Sequence, residues 1–309
     1  MQKTLSGYEK LLHSFSLWLS LSERSPKRVE SEIWQMRGKR FVAPAVIIAF
    51  LLVLYVPVFI WLVRAWLANA YYGHGFLILP VSAFIIWWKR KELVRGEPVS
   101  LGIPLLVLGL ALYIWGFLWR IRPLCAFSLL PVLFGLTLYF RGKNCARTLA
   151  FPICFLVFMI PLPFLDELLP FLQSLATHWS AAIVGMMGIP VAVTGAEIHL
   201  PHSTFVIGLP CSGMSTLISL LALAALLAYI LRGRTYKRVI LFLLAFPIAI
   251  LANLVRVVSL LLIGNHWGAE VAMTYFHHYS SLVFYLVALL LLGLIARLLG
   301  CHIPRPSKT

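Results

Sequence analysis

The sequence predicts an all-α polytopic membrane protein with about eight transmembrane helices, an amphipathic helix on the outer face and a short β-hairpin beside it. Three observations predict this. Of the 309 residues, 61% are hydrophobic and 12% charged, and the mean hydropathy is +0.93, far from the balance of a soluble domain. Apolar runs recur at or near the length of about 20 residues that a helix needs to cross a hydrocarbon core about 30 Å thick. The Lys and Arg behind the net charge of +16 fall in short clusters between alternate runs, as cytoplasmic loops do. That pattern speaks against nucleic acid as a partner.

Residues 1–40 read as a cytoplasmic N-terminal segment: "LLHSFSLWLSL" is a short apolar run followed by charge, without a small-residue cleavage site. The runs 41–66, 76–88, 101–119, 123–140, 149–164, 214–231, 239–263 and 281–299 supply the eight spans, the second and fifth being short. Helices are required because lipid offers no partner to a free backbone N–H or C=O. Residues 41–299 form one membrane domain, and 300–309 a cytoplasmic tail.

The basic clusters at 24–40, 89–95, 141–147 and 232–238 share one side with the tail's Arg305 and Lys308. For that to hold, residues 166–188 must not cross. Asp166, Gln173, Ser174, Thr177 and His178 recur there at helical spacing, the pattern of an amphipathic helix in the outer interface. The stretch "VAVTGAEIHLPHSTFVIGL" that follows is rich in β-branched residues, with turn signals at Thr194-Gly195 and Pro201-His202, and reads as a short hairpin.

Three elements could carry chemistry, all on the outer side. Of the five cysteines, Cys211 alone has polar, turn-forming company, in "GLPCSG", with Ser212 and Gly213 leading into the sixth span. A helix N-terminus stabilises an anion, so the spacing predicts a lowered thiol pKa. Arg256 interrupts the seventh run about 12 Å below its outer end at a rise of about 1.5 Å per residue. A charge there needs a partner or a wet cavity. Asn253 precedes it by three residues and shares its face. His277 and His278, in "YFHHYSS", stand before the last span. A thiol, a guanidinium and an imidazole at one face are the groups that cysteine acyl transfer uses. The rival readings are a transporter or polysaccharide-assembly protein that binds an anion through Arg256, and a noncatalytic membrane chaperone. The sequence carries no paired-ligand motif for a metal and no phosphate loop, so no cofactor and no metal site is expected.

With these residues in view, the sequence resembles the exosortase and archaeosortase family of membrane cysteine transpeptidases. The likeness runs over residues 41–299 in ordered blocks: "YYGHGFLILP" (71–80), "IPLP" (160–163), "PCSG", "NLVR" and "FHHYSS". The resemblance implies that Cys211 is the nucleophile, that Arg256 stabilises charge and that a histidine is the acid/base. The family's histidine is followed four residues later by glycine; counting back from Ser281, which replaces that glycine here, selects His277, with His278, Asn253, Ser212 and Gly213 in support. It also implies a substrate: the C-terminal sorting signal of an exported protein, made of a short motif (Pro-Glu-Pro in the commonest bacterial class), a membrane helix and a basic tail. The expected location is the cytoplasmic membrane, with the lipid bilayer as solvent and the site on its outer face.

Overall fold

Apolar sequence without water leaves the backbone to satisfy itself, and helices dominate the computed structural model, which describes residues 26–94, 96–208 and 211–302. The expected N-terminal segment before Pro26 and the tail beyond His302 lie outside the described residues. The helices are α1 (Pro26–Ala68), α2 (Gly75–Trp88), α3 (Gly102–Leu118), α4 (Arg122–Phe127), α5 (Leu129–Phe155), α6 (Pro163–Met186), α7 (Met214–Ile230), α8 (Thr235–Trp267) and α9 (His277–Leu298). The chain divides into two compact units between Phe59 and Ile60.

Among the described residues, four segments are long and apolar enough to cross a membrane: Ala49–Ala68, Arg122–Met159, Thr235–Trp267 and Tyr279–Leu298. The helices Gly75–Trp88, Gly102–Leu118 and Met214–Ile230 are apolar but shorter. The expected run 123–140 and the first part of the run 149–164 share the segment Arg122–Met159. It is broken at Gly142, whose φ of 81° and ψ of 178° are not helical.

The basic loops gather at one end. Gly96 N–H donates to Arg141 O at 2.9 Å, Arg232 and His302 pair their backbones, and Lys89 lies over the ring of Tyr229. Cys211 precedes α7 and Arg232 follows it, so the thiol and this basic end lie at opposite ends of that helix.

Helix α3 packs on α5 through small residues. Gly102, Gly109 and Gly116 recur every seven residues and are buried. A Cβ on Gly102 would lie 2.6 Å from Gly135 O, and one on Gly109 2.5 Å from a methyl of Val132. Lipid tails compete with any apolar contact, so association in a bilayer rests on this kind of close backbone approach.

Two expectations need correction. In place of one hairpin, both turn signals close, and the segment forms a three-stranded antiparallel sheet of β1 (Ala192–Thr194), β2 (Glu197–Leu200) and β3 (Ser203–Val206), in the order β1-β2-β3. Val193 pairs with Ile198, and Ile198 with Phe205. Alternation then buries Ile198, Leu200 and Phe205 on one face. The second correction concerns α6. Its polar residues do not form one outward stripe: Asp166, Ser174 and His178 are exposed, but Thr177 is buried and Gln173 donates to Ile207 O. The exposed side instead carries Phe164, Phe171, Trp179 and Met186. Such a face suits the headgroup boundary better than open water.

The close α3–α5 packing makes Gly135→Leu costly. We expect a loss of about 1–3 kcal/mol, read as a lower thermal midpoint in detergent, whereas Gly293→Ala, which meets nothing within 4 Å, leaves the midpoint in place. Equal midpoints for the two variants would show that α3 and α5 are not held by this contact.

Candidate active site

Cys211 lies in the turn between β3 and α7. Its N–H donates to Gly208 O at 3.0 Å, and its side chain joins a buried cluster with Ile198, Phe205, Ile207, Val257 and Leu260. Sheet, α6 and α8 thus close over it. Phe205 reaches α8 at Gly264, where any Cβ would overlap its ring. Gln173 fixes the chain just before the turn through Ile207 O. The thiol is 4% exposed, far less open than its place at a helix entrance suggests.

The next two residues set the helix start. Ser212 is buried, and its Oγ accepts from Met214 N–H at 3.4 Å. Gly213 is the residue before α7, with φ at 86°, a conformation costly to any residue with a Cβ. Space also demands glycine there, because a Cβ would lie 2.8–3.0 Å from the Asn253 side chain.

Helix α8 supplies the polar partners. Asn253 and Arg256, three residues apart, share a face and are both buried. Asn253 Nδ2 donates to Cys211 O at 3.0 Å, and Arg256 Nη2 donates to Cys211 Sγ at 3.7 Å. The buried Asn253 Oδ1 has no hydrogen-bond partner among the described residues. A guanidinium at membrane depth costs about 2.5–3.5 kcal/mol on insertion scales, so its position against a thiol is a strong constraint on the fold.

The structure therefore brings together five of the residues singled out in the sequence: Cys211, Ser212, Gly213, Asn253 and Arg256. The side chains of His277 and His278 lie outside the described residues. Their helix α9 begins at His277, and Ala272 and Phe276, just before it, pack in the same cluster as Cys211. Glu197 and His199 lie 3.7 Å apart on β2, both partly exposed. Among the described residues no group of three or more His, Cys, Asp or Glu is arranged to hold a metal ion.

Burial pushes the Cys211 thiol above its ordinary value, and the charge and hydrogen bond of Arg256 pull it back only in part. This reverses the expectation of a lowered pKa. A helix N-terminus and an arginine favour the thiolate, but enclosure by the sheet and α6 disfavours any charge more strongly.

Residues that the sequence did not assign a role join the walls. Trp66 Nε1 donates to Met159 O at 2.8 Å, and the imidazole of His74 lies between Tyr71 O, 3.1 Å from Nδ1, and Phe158 O, 3.0 Å from Nε2. Gly75 leaves room for the Trp66 indole, which a Cβ would overlap. His74 of "YYGHGFLILP" thus meets a carbonyl of the turn Leu156–Met159, which leads into "IPLP". Gln173 could have been found as the polar residue at helical spacing from buried Ala176 and Thr177.

A helical membrane protein whose buried thiol and guanidinium meet at one end of the bundle defines a class, a polytopic protein with a cysteine-centred site. Comparison with family profiles gives the particular one: this chain belongs to the transmembrane exosortase (Exosortase_EpsH) family, matched over residues 66–294. That stretch contains the site and its walls. Searches of curated proteins and of solved structures return no match.

Because Arg256 lowers a thiol that burial raises, removing it moves the thiol further up. Arg256→Ala is expected to shift the pH profile of Cys211 alkylation to more alkaline values, with a slower rate at neutral pH, in a variant whose other four cysteines are replaced. Superimposed profiles would leave Arg256 without influence on the thiol. Gly213→Ala, through its φ and its clash with Asn253, is expected to change the alkylation rate without removing the thiol.

Proposed function

We propose that this exosortase-family protein is a membrane-embedded cysteine protease-transpeptidase that cleaves the C-terminal sorting signal of exported proteins. The observation that carries the reading is the 3.7 Å contact between Arg256 Nη2 and Cys211 Sγ, two groups that neither packing nor membrane insertion would bring together. Guanidinium stays protonated, so the part of Arg256 is electrostatic.

In the proposed reaction Cys211 Sγ bonds to the scissile carbonyl carbon while its proton passes to His277. Arg256 holds the negative charge that develops, and Asn253 keeps the Cys211 backbone in place through its carbonyl. The C–N bond then breaks, the leaving amine takes the proton from His277, and a thioacyl-enzyme remains. Water, an amine or a glycan hydroxyl resolves it. A thiol held protonated by burial makes the base part of the attack itself, rather than a means of keeping a resting thiolate. The family resemblance supports the sorting signal as substrate and a link to surface proteins and exopolysaccharide.

The proposed topology has eight spans, with the broken segment Arg122–Met159 crossing twice, and the site on the outer face of the cytoplasmic membrane. The gathering of basic loops at the end away from Cys211 supports it. Reporter fusions after Gly195 and after Arg234 are expected on opposite sides. Reporters on the same side would overturn the eight-span arrangement.

The direct test is coexpression with a tagged protein ending in a sorting signal. Wild type is expected to yield a processed band; Cys211→Ala and His277→Ala none; and Arg256→Lys at most a small fraction, since an ammonium lacks the guanidinium fork. His278→Ala is expected to process normally. Undiminished processing by Cys211→Ala would favour anion binding by Arg256 as the site's purpose.

A further inference from the structure

Beside the thiol pair lies a cavity of about 810 Å³ that has Arg256 in its lining. It is walled by α2 through Leu77, Ile78 and Val81, and by α9 through Ser281, Leu282 and Tyr285. Its floor is α7. The residues of α7 that face it, Ser215, Thr216, Ser219, Ala222, Leu223 and Leu226, span about 16 Å at a rise of about 1.5 Å per residue. The opposite face of α7, with Leu217, Ile218, Leu220 and Ala224, is buried in the bundle.

Polarity changes along this cleft. Asn69, Tyr71 and His74 line it at the end where α2 and α7 begin, the same end that holds Arg256. Deeper, the lining turns to Val81, Ala222, Leu223 and Leu226. An occupant must therefore be polar where it meets Arg256 and apolar for several turns below. The floor adds a second requirement: its upper residues are small and carry hydroxyls, and that surface lets another helix approach closely and offers it hydrogen-bond partners. An acyl chain can use an apolar slot but gains nothing from a small hydroxylic floor.

We propose that this cleft is the docking groove for the membrane helix of the protein's own substrate, seated along α7 between α2 and α9. Residues at the outer end of that helix then lead past His74 and Arg256 to Cys211. The inference rests on the proposed peptidase reading and deepens it, naming the surface that holds the substrate by its membrane anchor. Binding energy spent on the helix would place the scissile carbonyl, a gain in positioning separate from the chemistry. Ser219 and Leu223 become positioning residues that touch no reacting atom.

The test uses the full chain in membranes with a reporter of known sequence: a tagged domain, a short motif, one apolar helix of about 20 residues and a basic tail. A photoreactive residue at 223 or 282, in a Cys211→Ala background, is expected to cross-link to the reporter's helix. The same residue at 290, exposed on α9 but outside the cleft lining, is expected not to. Ser219→Trp is expected to lower processing at least tenfold at limiting reporter while the rate of Cys211 alkylation stays unchanged, and Leu290→Trp, outside the cleft lining, to process normally. Wild-type processing without a cross-link at either cleft position, or cross-links to lipid alone, would overturn the groove and leave the peptidase reading standing. A specific cross-link without Cys211-dependent processing would support the groove and overturn the peptidase reading.

Discussion

The rest of the site depends on one helix face meeting one turn. Asn253 and Arg256, a single helical turn apart on α8, reach the carbonyl and the sulfur of the same residue, Cys211. Two polar groups in an apolar segment are tolerable only where they find partners, and here one residue meets a donor from each. The turn must in exchange be tight enough to present them, which is what Gly213 permits: its backbone adopts a conformation closed to other residues, and its missing side chain admits Asn253. Register along α8 thereby becomes the register of the candidate site.

Enclosure then works against charge. The three-stranded sheet and α6 bury the thiol so thoroughly that its proton is held more tightly than in water, despite the adjacent guanidinium. Such a site favours reactions in which proton transfer and carbon–sulfur bond formation go together. The same enclosure would shield the proposed thioacyl intermediate from stray water.

Much of this was legible before any coordinates. Hydropathy and basic loops give a helical membrane protein, and a thiol at a helix entrance with an arginine buried in an apolar run gives the pair. What stayed hidden depends on the third dimension. One hairpin became a three-stranded sheet because both turn signals closed, and periodicity alone cannot say whether a second turn adds a strand. Gln173 and Thr177 read as part of an outward interfacial stripe because helical spacing shows that residues share a face, not which face is buried. The sign of the thiol shift was missed for the same reason: sequence shows the arginine and the helix start, whereas the desolvation that outweighs them comes from Ile198, Phe205 and Val257, distant along the chain.

In the proposed reaction Cys211 takes the substrate's acyl group. The most direct measurement is intact and peptide-level mass spectrometry of the protein purified with a sorting-signal reporter under conditions that starve the acceptor. An added mass equal to the reporter's N-terminal fragment is expected, mapped to the peptide that contains Cys211 and released by hydroxylamine as a thioester. An adduct mapped to any other residue, or reporter cleavage that continues after Cys211 has been fully alkylated, would contradict it.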